Sequence, residues 1–456
     1  MKINEDASSK ALRRGDLTEG PVMASMLRFA VPMILGNLLQ QCYNVADTLI
    51  VGKFLGPDPL AAVGSAYTLM TFITSILLGL CMGSGALFSI RFGEKDFDGL
   101  KEAMSGAFVL IAALCLLLNM LVFAFTDQIL WFLRVPDEVW ELMREYLVVI
   151  FYGISATFLY NYFASLLRAI GDSATPLLFL AISAILNIIL DLWFVVGLSR
   201  GVAGAAEATV ISQYVSGVGL MIFTFIRKPE LRLKKRHLRV TKKCLKEISG
   251  FSLLTCVQQS VMNLGILMVQ GLVNSFGPSV MAAFAAAVKI DSFAYMPVQD
   301  FGNAFSTFIA QNYGAKKSDR IRAGLKGAII TAVVFSVLVS AIVFITAPLL
   351  MQIFVDGSET AIITEGVRYL RSEGAFYCGI GCLFLLYGLY RALGKPGMSV
   401  VLTVISLGTR VLLAYTLSAI PSIGVAGIWW SVPIGWFLAD AAGLIYYIFN
   451  KKKLSL

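Results

Sequence analysis

Long, uninterrupted runs of apolar residues recur along this chain and limit what it can fold into more than any other feature. Twelve runs of about 20 or more residues can be read from the sequence, and roughly 20 apolar residues are enough to cross a bilayer as a helix. The runs cover 26–51, 60–89, 102–125, 140–168, 175–198, 203–226, 248–275, 280–311, 323–347, 362–390, 398–420 and 424–449. Because lipid offers the backbone no hydrogen-bond partners, each run is predicted to be helical.

The composition agrees with a membrane protein and excludes several other classes. Of the 456 residues, 58% are apolar and 14% are charged, against roughly 45–50% and about 25% in an ordinary soluble domain. Mean hydropathy is +0.79. A soluble fold of this length cannot hide so much apolar surface, so a disordered chain, a nucleic-acid module and a secreted disulfide scaffold are excluded. A β-barrel is excluded too, because the runs are continuous rather than alternating.

The distribution of positive charge predicts which ends of the spans face the cytoplasm. If the N-terminus lies inside, the inner segments carry 29 of the 37 lysines and arginines, the outer segments carry seven, and Arg410 lies within a span. Bacterial inner-membrane proteins retain positive residues on the cytoplasmic side. We therefore expect a multi-pass protein of a bacterial-type inner or plasma membrane, with a cytoplasmic arm at 1–25 and a cytoplasmic tail at 450–456.

The second half of the chain repeats the first at an almost constant offset. Four motifs recur in the same order: Leu55-Gly56-Pro57 and Phe276-Gly277-Pro278, Phe92-Gly93-Glu94-Lys95 and Tyr313-Gly314-Ala315-Lys316, Arg168-Ala169-Ile170-Gly171 and Arg391-Ala392-Leu393-Gly394, and Gly201-Val202-Ala203-Gly204 and Gly424-Val425-Ala426-Gly427. Six spans per half is an even number, so both halves point the same way, as in transporters built from parallel repeats.

The repeat predicts how the spans are organised. We expect an all-α integral membrane fold of twelve transmembrane helices in two six-helix lobes, 26–226 and 248–449, related by a pseudo-two-fold axis along the membrane normal. A basic linker at 227–247 joins the lobes. It holds the only histidine, His237, and is expected to be a solvated cytoplasmic connector near anionic lipid.

Seven acidic residues lie inside the predicted spans, where a carboxylate is costly and usually functional. They are Asp47, Asp191, Glu207, Asp291, Asp300, Glu373 and Asp440. Asp47 and Asp191 are the main candidates, because a rise of about 1.5 Å per residue places them about 9 and 10 Å below the outer boundary. Thr209 lies at a similar depth on the sixth span, and Asn187 is one turn from Asp191. These oxygen-bearing side chains are predicted to meet in the first lobe.

The first span carries a polar stripe that leads to Asp47. Gly36, Gln40, Tyr43 and Asp47 follow one another at spacings of four, three and four residues, which places them on one helical face. We expect this face to line a cavity rather than to contact lipid. Pro32 lies about four helical turns before Asp47 and removes a backbone donor. A bend there is expected, either as a static kink or in response to protonation of Asp47.

The residues alone leave the role of the acidic cluster open. Burial and repulsion between two carboxylates favour the protonated form, so the site can load and release a proton. The same oxygens can instead bind a hard cation such as sodium. In a structural role, each acid would only stabilise a polar contact between helices. We expect that role for Glu207, Asp300 and Asp440, and for Asp291 and Glu373 near helix ends.

Several activities are excluded by what the sequence lacks. There is no Walker A motif, and a single histidine cannot form a His-Glu-x-x-His zinc site. The seven cysteines are odd in number and lie mostly in apolar runs, so we predict neither a disulfide nor a structural metal. An enzyme would need a catalytic constellation and a channel a continuous polar pore. We therefore expect neither, and no cofactor besides a coupling ion, H+ or Na+.

Over essentially its whole length the chain resembles the MATE (multidrug and toxic compound extrusion) transporters. The resemblance depends on Pro32 to Asp47, with Val45-Ala46-Asp47-Thr48 and Val51-Gly52, on Leu167-Arg168-Ala169-Ile170-Gly171-Asp172, on Asn187 to Asp191, on Gly201 to Thr209, and on Gln311-Asn312-Tyr313-Gly314-Ala315. It implies two six-helix lobes with an export cavity between them, and alternating access driven by proton or sodium influx. It also implies that Asp47, Asn187, Asp191 and Thr209, with Asn161 from the fourth span, bind the coupling ion.

The resemblance further implies a secondary active antiporter, expected to be monomeric, that exports amphipathic, often cationic drugs or toxic organic compounds. The candidates for the substrate cavity are Gln40, Tyr43, Gln258, Gln259 and Asp300. Some relatives use acids of the seventh and tenth spans as a second ion site, but the seventh span here has no acid, which argues against such a site. The alternative function is a flippase for a lipid-linked saccharide or an exporter of one endogenous metabolite.

Overall fold

A computed structural model describes residues 15–133, 135–238 and 240–450, and these ranges are built from helices. In chain order the helices are α1 (Val22–Phe54), α2 (Pro57–Gly93), α3 (Phe97–Ala124), α4 (Thr126–Phe132), α5 (Asp137–Phe151), α6 (Ile154–Ala169), α7 (Ala174–Asp191), α8 (Gly201–Arg227), α9 (Lys242–Asn274), α10 (Pro278–Gly314), α11 (Ser318–Gln352), α12 (Thr360–Gly374), α13 (Tyr377–Ala392), α14 (Pro396–Ser418) and α15 (Ala426–Asn450). No strand occurs in the described ranges, and the predicted all-α class is confirmed.

The helices of the described residues account for the predicted spans. Ten segments are long and apolar enough to cross a membrane singly, and two bent pairs, α5 with α6 and α12 with α13, bring the total to twelve if each pair is one span. The chain is therefore a multi-pass membrane protein. The prediction of one continuous helix over 140–168 and over 362–390 was wrong, because these pairs bend by 44° and 50°.

The break between α5 and α6 has a local cause in the backbone. Tyr152 and Gly153 donate to carbonyl oxygens only three residues back, at 3.1 and 2.8 Å, which tightens the helix. A Cβ atom on Gly153 would lie 2.6 Å from Gln213 Oε1, so the position has no room for a side chain. Apolar patterning does not register such a break, because the residues on both sides of it remain apolar.

The chain forms two compact units. Unit 1 contains residues 15 and 16 and Val31–Cys256, and unit 2 contains Leu17–Ala30 and the chain from Val257 onward. Helices α1 and α9 therefore each belong partly to both units. Helix α1 changes unit one residue before Pro32, and α9 changes unit between Cys256 and Val257.

Hydrogen bonds explain why the segment before α1 belongs to unit 2. Leu17 N donates to Gln311 Oε1 at 3.0 Å, and Asn312 Nδ2 donates to Leu17 O at 3.2 Å. Arg320 donates to Gly20 O at 2.7 Å. The Gln311-Asn312 motif, which the sequence linked only to a family resemblance, thus binds backbone that lies near the opposite end of the chain.

The internal repeat is visible in the turns. Each of the four recurring motifs places a residue with positive φ at the equivalent position: Gly56 and Gly277 (97° and 96°), Lys95 and Lys316 (59° and 56°), Gly171 and Gly394 (85° and 71°), and Gly201 and Gly424 (62° and 54°). Positive φ is uncommon outside glycine, so four matched pairs are a specific signature. The motifs are therefore structurally equivalent turns at the ends of equivalent helices.

Helices α2 and α9 pack at very close range within unit 1. A Cβ atom on Gly83 would overlap Phe251 O, and next to it the hydroxyls of Ser84 and Ser252 are 2.7 Å apart. In a bilayer the lipid tails are as apolar as leucine, so small residues that allow backbones to approach stabilise helix pairs instead. This contact fixes the first part of α9 against the rest of unit 1.

Candidate functional site

The carboxyl groups of Asp47 and Asp191 lie against each other in unit 1, close enough for one proton to bridge them. Asp191 is fully buried at the end of α7, and Asp47 is half-buried on α1. Among the described residues, no N–H or O–H donor bonds to either carboxyl oxygen of Asp191 or to Asp47 Oδ1. Two neighbouring carboxyl groups that are buried and receive no hydrogen bonds can both be ionised only at a high cost in free energy.

Asn187 and Thr209 add oxygens beside this pair. Asn187 is 2% exposed and donates from Nδ2 to Thr209 Oγ1 at 3.3 Å, which ties α7 to α8. The bond turns the amide so that Asn187 Oδ1 has no donor among the described residues. Asn187 precedes Asp191 by four residues on the same face of α7. The predicted first-lobe residues thus form two pairs, Asp47 with Asp191 and Asn187 with Thr209, and α7 carries one member of each pair one turn apart.

The helix changes its winding directly after Asp191. A π-helical turn covers Leu192–Gly197, and Leu198 N donates to Trp193 O at 2.9 Å. The sequence predicted a span over 175–198, and Ala174–Gly197 is one apolar span whose last six residues are π-helical. A π turn widens the helix and is frequent at functional sites. Here it ends the α-helical stacking at the carboxyl group, so Asp191 marks the junction of two helix types.

Tyr146 is a member of the cluster that the sequence did not indicate. It lies on α5, is 7% exposed, and is close to both Asp47 and Asp191. A tyrosine in an apolar span resembles any other core aromatic residue, so its composition gives no signal. The repeat does give one, because the offset that relates the two halves maps Tyr146 onto Tyr369, another buried tyrosine.

The polar stripe of α1 faces α7 at both of its ends. A Cβ atom on Gly36 would lie 3.7 Å from Leu177 and Leu180 of α7, and Asp47 meets Asp191 of the same helix. Tyr43 is half-buried and lies near Asp47, and Gln40, about one turn before Tyr43 on the same face, is half-buried as well. The stripe therefore faces protein at these two points, and its lining of a cavity stays a prediction.

Asn161 lies apart from the hydrogen bond that joins Asn187 to Thr209. Its Nδ2 donates to Thr157 O of its own helix at 2.9 Å. Thr157 in turn donates to Gln213 Oε1 at 3.3 Å, and Gln213 is one turn beyond Thr209 on α8. Asn161 thus belongs to a neighbouring polar level, and its part in ion binding stays a prediction.

The remaining acids of the spans have varied surroundings. Glu207 forms an ion pair at 2.6 Å with Arg200, the residue that directly precedes α8, rather than a contact with another helix. Gln258, Gln259 and Asp300, the predicted cavity residues of the second lobe, are each at most 9% exposed. Glu373 lies at the end of α12. Asp291 and Glu373 belong to one buried cluster with Tyr369, which the sequence did not indicate.

Comparisons with known proteins agree with this fold. The MatE family model matches residues 32–193 and 253–416, so the chain belongs to the MATE family of transporters. The second matched range begins and ends later in the chain than the first by the same numbers of residues that separate the recurring sequence motifs.

Individual relatives are similar along their whole lengths. The probable multidrug resistance protein YpnP of Bacillus subtilis is 28% identical over 96% of this chain and 97% of its own. The multidrug export protein MepA of Staphylococcus aureus is 25% identical over 95% of both chains. A solved MOP superfamily transporter from Pyrococcus furiosus superposes with a TM-score of 0.90 at 24% identity and covers 98% of both chains.

Proposed function

We propose that this protein is a secondary active antiporter that exports amphipathic, often cationic organic compounds in exchange for H+ or Na+. The observation that supports it best is the buried pair of Asp47 and Asp191, whose oxygens lack donors in the described structure. An ion-driven transporter needs a site within the membrane whose charge changes when the coupling ion binds or leaves. Two facing carboxyl groups supply such a site, because they require a proton or a metal cation to be stable there.

The first step of the proposed cycle is binding of the ion. Either a proton bridges Asp47 and Asp191, or a sodium ion binds the carboxyl oxygens together with Asn187 Oδ1. Both bring one positive charge to a group that otherwise carries two negative charges in a low-dielectric environment. Both are compatible with the same residues, so transport with one gradient at a time is what identifies the ion.

In the second step, the change in charge at the acid pair alters the conformation of α1. Pro32 lacks a backbone N–H, so α1 misses one helical hydrogen bond about four turns before Asp47. It also lies next to the point where α1 changes unit. A change in the attraction between Asp47 and α7 then alters the balance between a straighter and a more bent α1, which provides the two states that alternating access requires.

The substrate class is inferred from the relatives and from charge. YpnP and MepA carry the names multidrug resistance protein and multidrug export protein, and neither is named as a flippase. Gln40 and Tyr43 lie on the same face of α1 as Asp47, so a substrate cation and the coupling ion would compete for one negatively charged region. Such competition is the simplest physical basis for exchange.

The orientation and the assembly state complete the proposal. The excess of lysine and arginine predicts that both termini are cytoplasmic, in a bacterial-type inner or plasma membrane. The chain is proposed to act as a monomer, since each unit contains its own buried core and the ion site belongs entirely to unit 1.

Efflux from cells that lack their own multidrug pumps tests the proposal. We expect expression of the chain to lower ethidium accumulation, and Asp47→Asn to abolish this effect while the protein level in the membrane stays the same. Asp319→Asn is the matched control, because its side chain is fully exposed. Normal efflux by Asp47→Asn would remove the ion site from the mechanism, and no efflux of any organic cation by the unmodified chain would remove the substrate class.

A further inference from the structure

A cleft of about 430 Å³ opens between α11 and α12 in unit 2, whereas the ion site described above belongs to unit 1. Pro348 lines it from α11, and one face of α12 lines it from the other side. The lining residues of α12 are Ile363, Thr364, Val367, Arg368 and Arg371. The cleft therefore combines apolar side chains with two arginines, which suits an amphipathic anion.

Arg371 is held at the cleft by a carbonyl group that Pro348 leaves free. In a regular helix the N–H of residue 348 would donate to Phe344 O, but proline has no N–H. Arg371 Nε donates to Phe344 O instead, at 3.3 Å, and its guanidinium group lies 5.1 Å from the centre of the Phe344 ring. Among the described residues, no acceptor bonds to the other four N–H groups of Arg371.

Arg368 adds a second positive charge to the same face of α12. Its side chain is exposed, and its NH1 lies 3.4 Å from Oε2 of Glu365, one turn earlier. The other oxygen of Glu365, Oε1, accepts a hydrogen bond from Trp429 Nε1 at 2.7 Å. Two arginines and one glutamate thus leave one positive charge in excess in this group of contacts. An anion that binds both guanidinium groups would balance it.

The bond to Phe344 also indicates the depth of Arg371 in the membrane. The ninth apolar run ends at residue 347, so Phe344 lies three residues, or about 5 Å, inside the predicted boundary of the hydrocarbon. Arg368 precedes Arg371 by three residues on α12 and lies closer to that boundary. Arginine side chains are stable at this level, where the phosphates of lipid headgroups are within reach. In the proposed orientation it is the level of the outer leaflet.

An apolar stripe of α11 leads from the cleft into the hydrocarbon. Val337, Ala341, Phe344 and Pro348 follow one another at spacings of four, three and four residues, which places them on one helical face. Val337, Ala341 and Phe344 are exposed in the described structure. A hydrocarbon chain that lies along this face can therefore extend from the two arginines towards the middle of the membrane.

We propose that the cleft between α11 and α12 binds an anionic phospholipid, with its phosphate on Arg368 and Arg371 and one acyl chain along the exposed stripe of α11. A guanidinium group presents planar, paired donors that suit phosphate oxygens. A zwitterionic phospholipid carries its own cation, so the excess positive charge of the cleft favours the anionic headgroup. The lipid connects two helices of unit 2 and stabilises it. It is a structural ligand rather than a step of the transport cycle.

Thermal stability with added lipid tests the site. The purified protein is heated in detergent with dioleoylphosphatidylglycerol or with the same concentration of dioleoylphosphatidylcholine, and its melting temperature is measured by size-exclusion fluorescence. A ligand of the folded state stabilises it, so we expect the anionic lipid to raise the melting temperature more than the zwitterionic lipid does. The double variant Arg368→Gln and Arg371→Gln should lose this difference. Arg322→Gln is the matched control, because Arg322 is an exposed arginine beside Asp319 near the opposite end of α11, and it should keep the difference.

Several outcomes would overturn the inference. They are an equal effect of both lipids on the unmodified chain, an undiminished difference in the double variant, and loss of the difference in Arg322→Gln as well. Inorganic phosphate that reproduces the effect would overturn it too, because the occupant would then be a soluble anion. If the double variant does not fold, Arg368→Gln alone must reduce the difference. Efflux is not measured here, so failure of this test leaves the proposed function unaffected.

Discussion

The carboxyl group of Asp47 on α1 meets that of Asp191 on α7, and no N–H or O–H donor of the described residues bonds to either oxygen of Asp191. Most buried polar groups in proteins have a partner, so the unpartnered acid pair supports the proposed site for an exchanged ion.

Replacing Asp191 by asparagine tests whether both members of the pair are needed. Asp191→Asn keeps the shape of the side chain and removes the second carboxyl group, so the repulsion that makes binding of a cation favourable is lost. We expect ion-driven ethidium uptake into inverted vesicles to fall at least tenfold. Glu207→Gln is the control, since Glu207 pairs with Arg200 outside the cluster. Full uptake by Asp191→Asn would mean that Asp47 acts alone.

Asn187 is predicted to contribute one oxygen ligand. Asn187→Ala removes Oδ1 and also the hydrogen bond to Thr209 at 3.3 Å. Loss of one such interaction is worth about 1–3 kcal/mol, so we expect the ion concentration for half-maximal transport to rise about tenfold. Thr209→Ser retains a hydroxyl and should change this concentration little. An unchanged ion dependence in Asn187→Ala would exclude the amide from the site.

Tyr146 is expected to supply its hydroxyl oxygen to the bound ion, because it lies close to both Asp47 and Asp191. Tyr146→Phe keeps the ring and the packing, so the thermal stability of the protein should stay close to that of the unmodified chain. The ion concentration for half-maximal transport should rise several-fold. Tyr214→Phe is the matched control, because the Tyr214 hydroxyl bonds to a backbone carbonyl at Tyr152 on an exposed surface. Equal effects of both substitutions would contradict a specific role for Tyr146.

The kink of α1 is predicted to be needed for transport but not for folding. Pro32→Ala restores the missing backbone N–H and favours a straight helix. We expect efflux to be lost while thermal stability stays equal or increases. Pro348→Ala in α11 is the control, because Pro348 also lies inside a long helix but far from Asp47 in sequence. If Pro32→Ala transports normally, the proline only shapes the resting structure.

The close packing of α2 on α9 gives a prediction about stability. A Cβ atom at Gly83 would overlap Phe251 O, whereas nothing lies within 4 Å of the corresponding point at Gly64 on the same helix. Overpacking of this kind typically costs about 1–3 kcal/mol. We therefore expect Gly83→Ala to lower the melting temperature in detergent, as measured by size-exclusion fluorescence, and Gly64→Ala to leave it unchanged. The opposite ranking would contradict the described contact.

Much of the fold could be predicted because lipid imposes one simple rule. Apolar runs long enough to cross a bilayer must be helical, and this rule alone led to the spans that the structure contains. A depth estimate along the helices also anticipated that Asp47 and Asp191 lie close together, although their role in ion binding stays a prediction. The internal repeat was detectable because its turns require glycine or positive φ at fixed positions, as at Gly56 and Gly277.

Other features could not be predicted from hydropathy. The bend at Gly153 and the π turn after Asp191 arise from backbone hydrogen bonding, which apolar side chains do not reveal. Tyr146 and Tyr369 look like ordinary core aromatic residues until the repeat aligns them. The cluster of Asp291 and Glu373 depends on how α10 and α12 pack together, and packing between helices was beyond a count of residues along single spans.

Ethidium transport into proteoliposomes with one ion gradient at a time, for the unmodified chain and for Asp47→Asn, shows whether the acid pair couples transport to an ion. Either the proton or the sodium gradient alone is expected to drive uptake by the unmodified chain, and Asp47→Asn is expected to respond to neither. Uptake that persists in the unmodified chain after both gradients are removed, or ion-driven uptake by Asp47→Asn, would contradict this coupling.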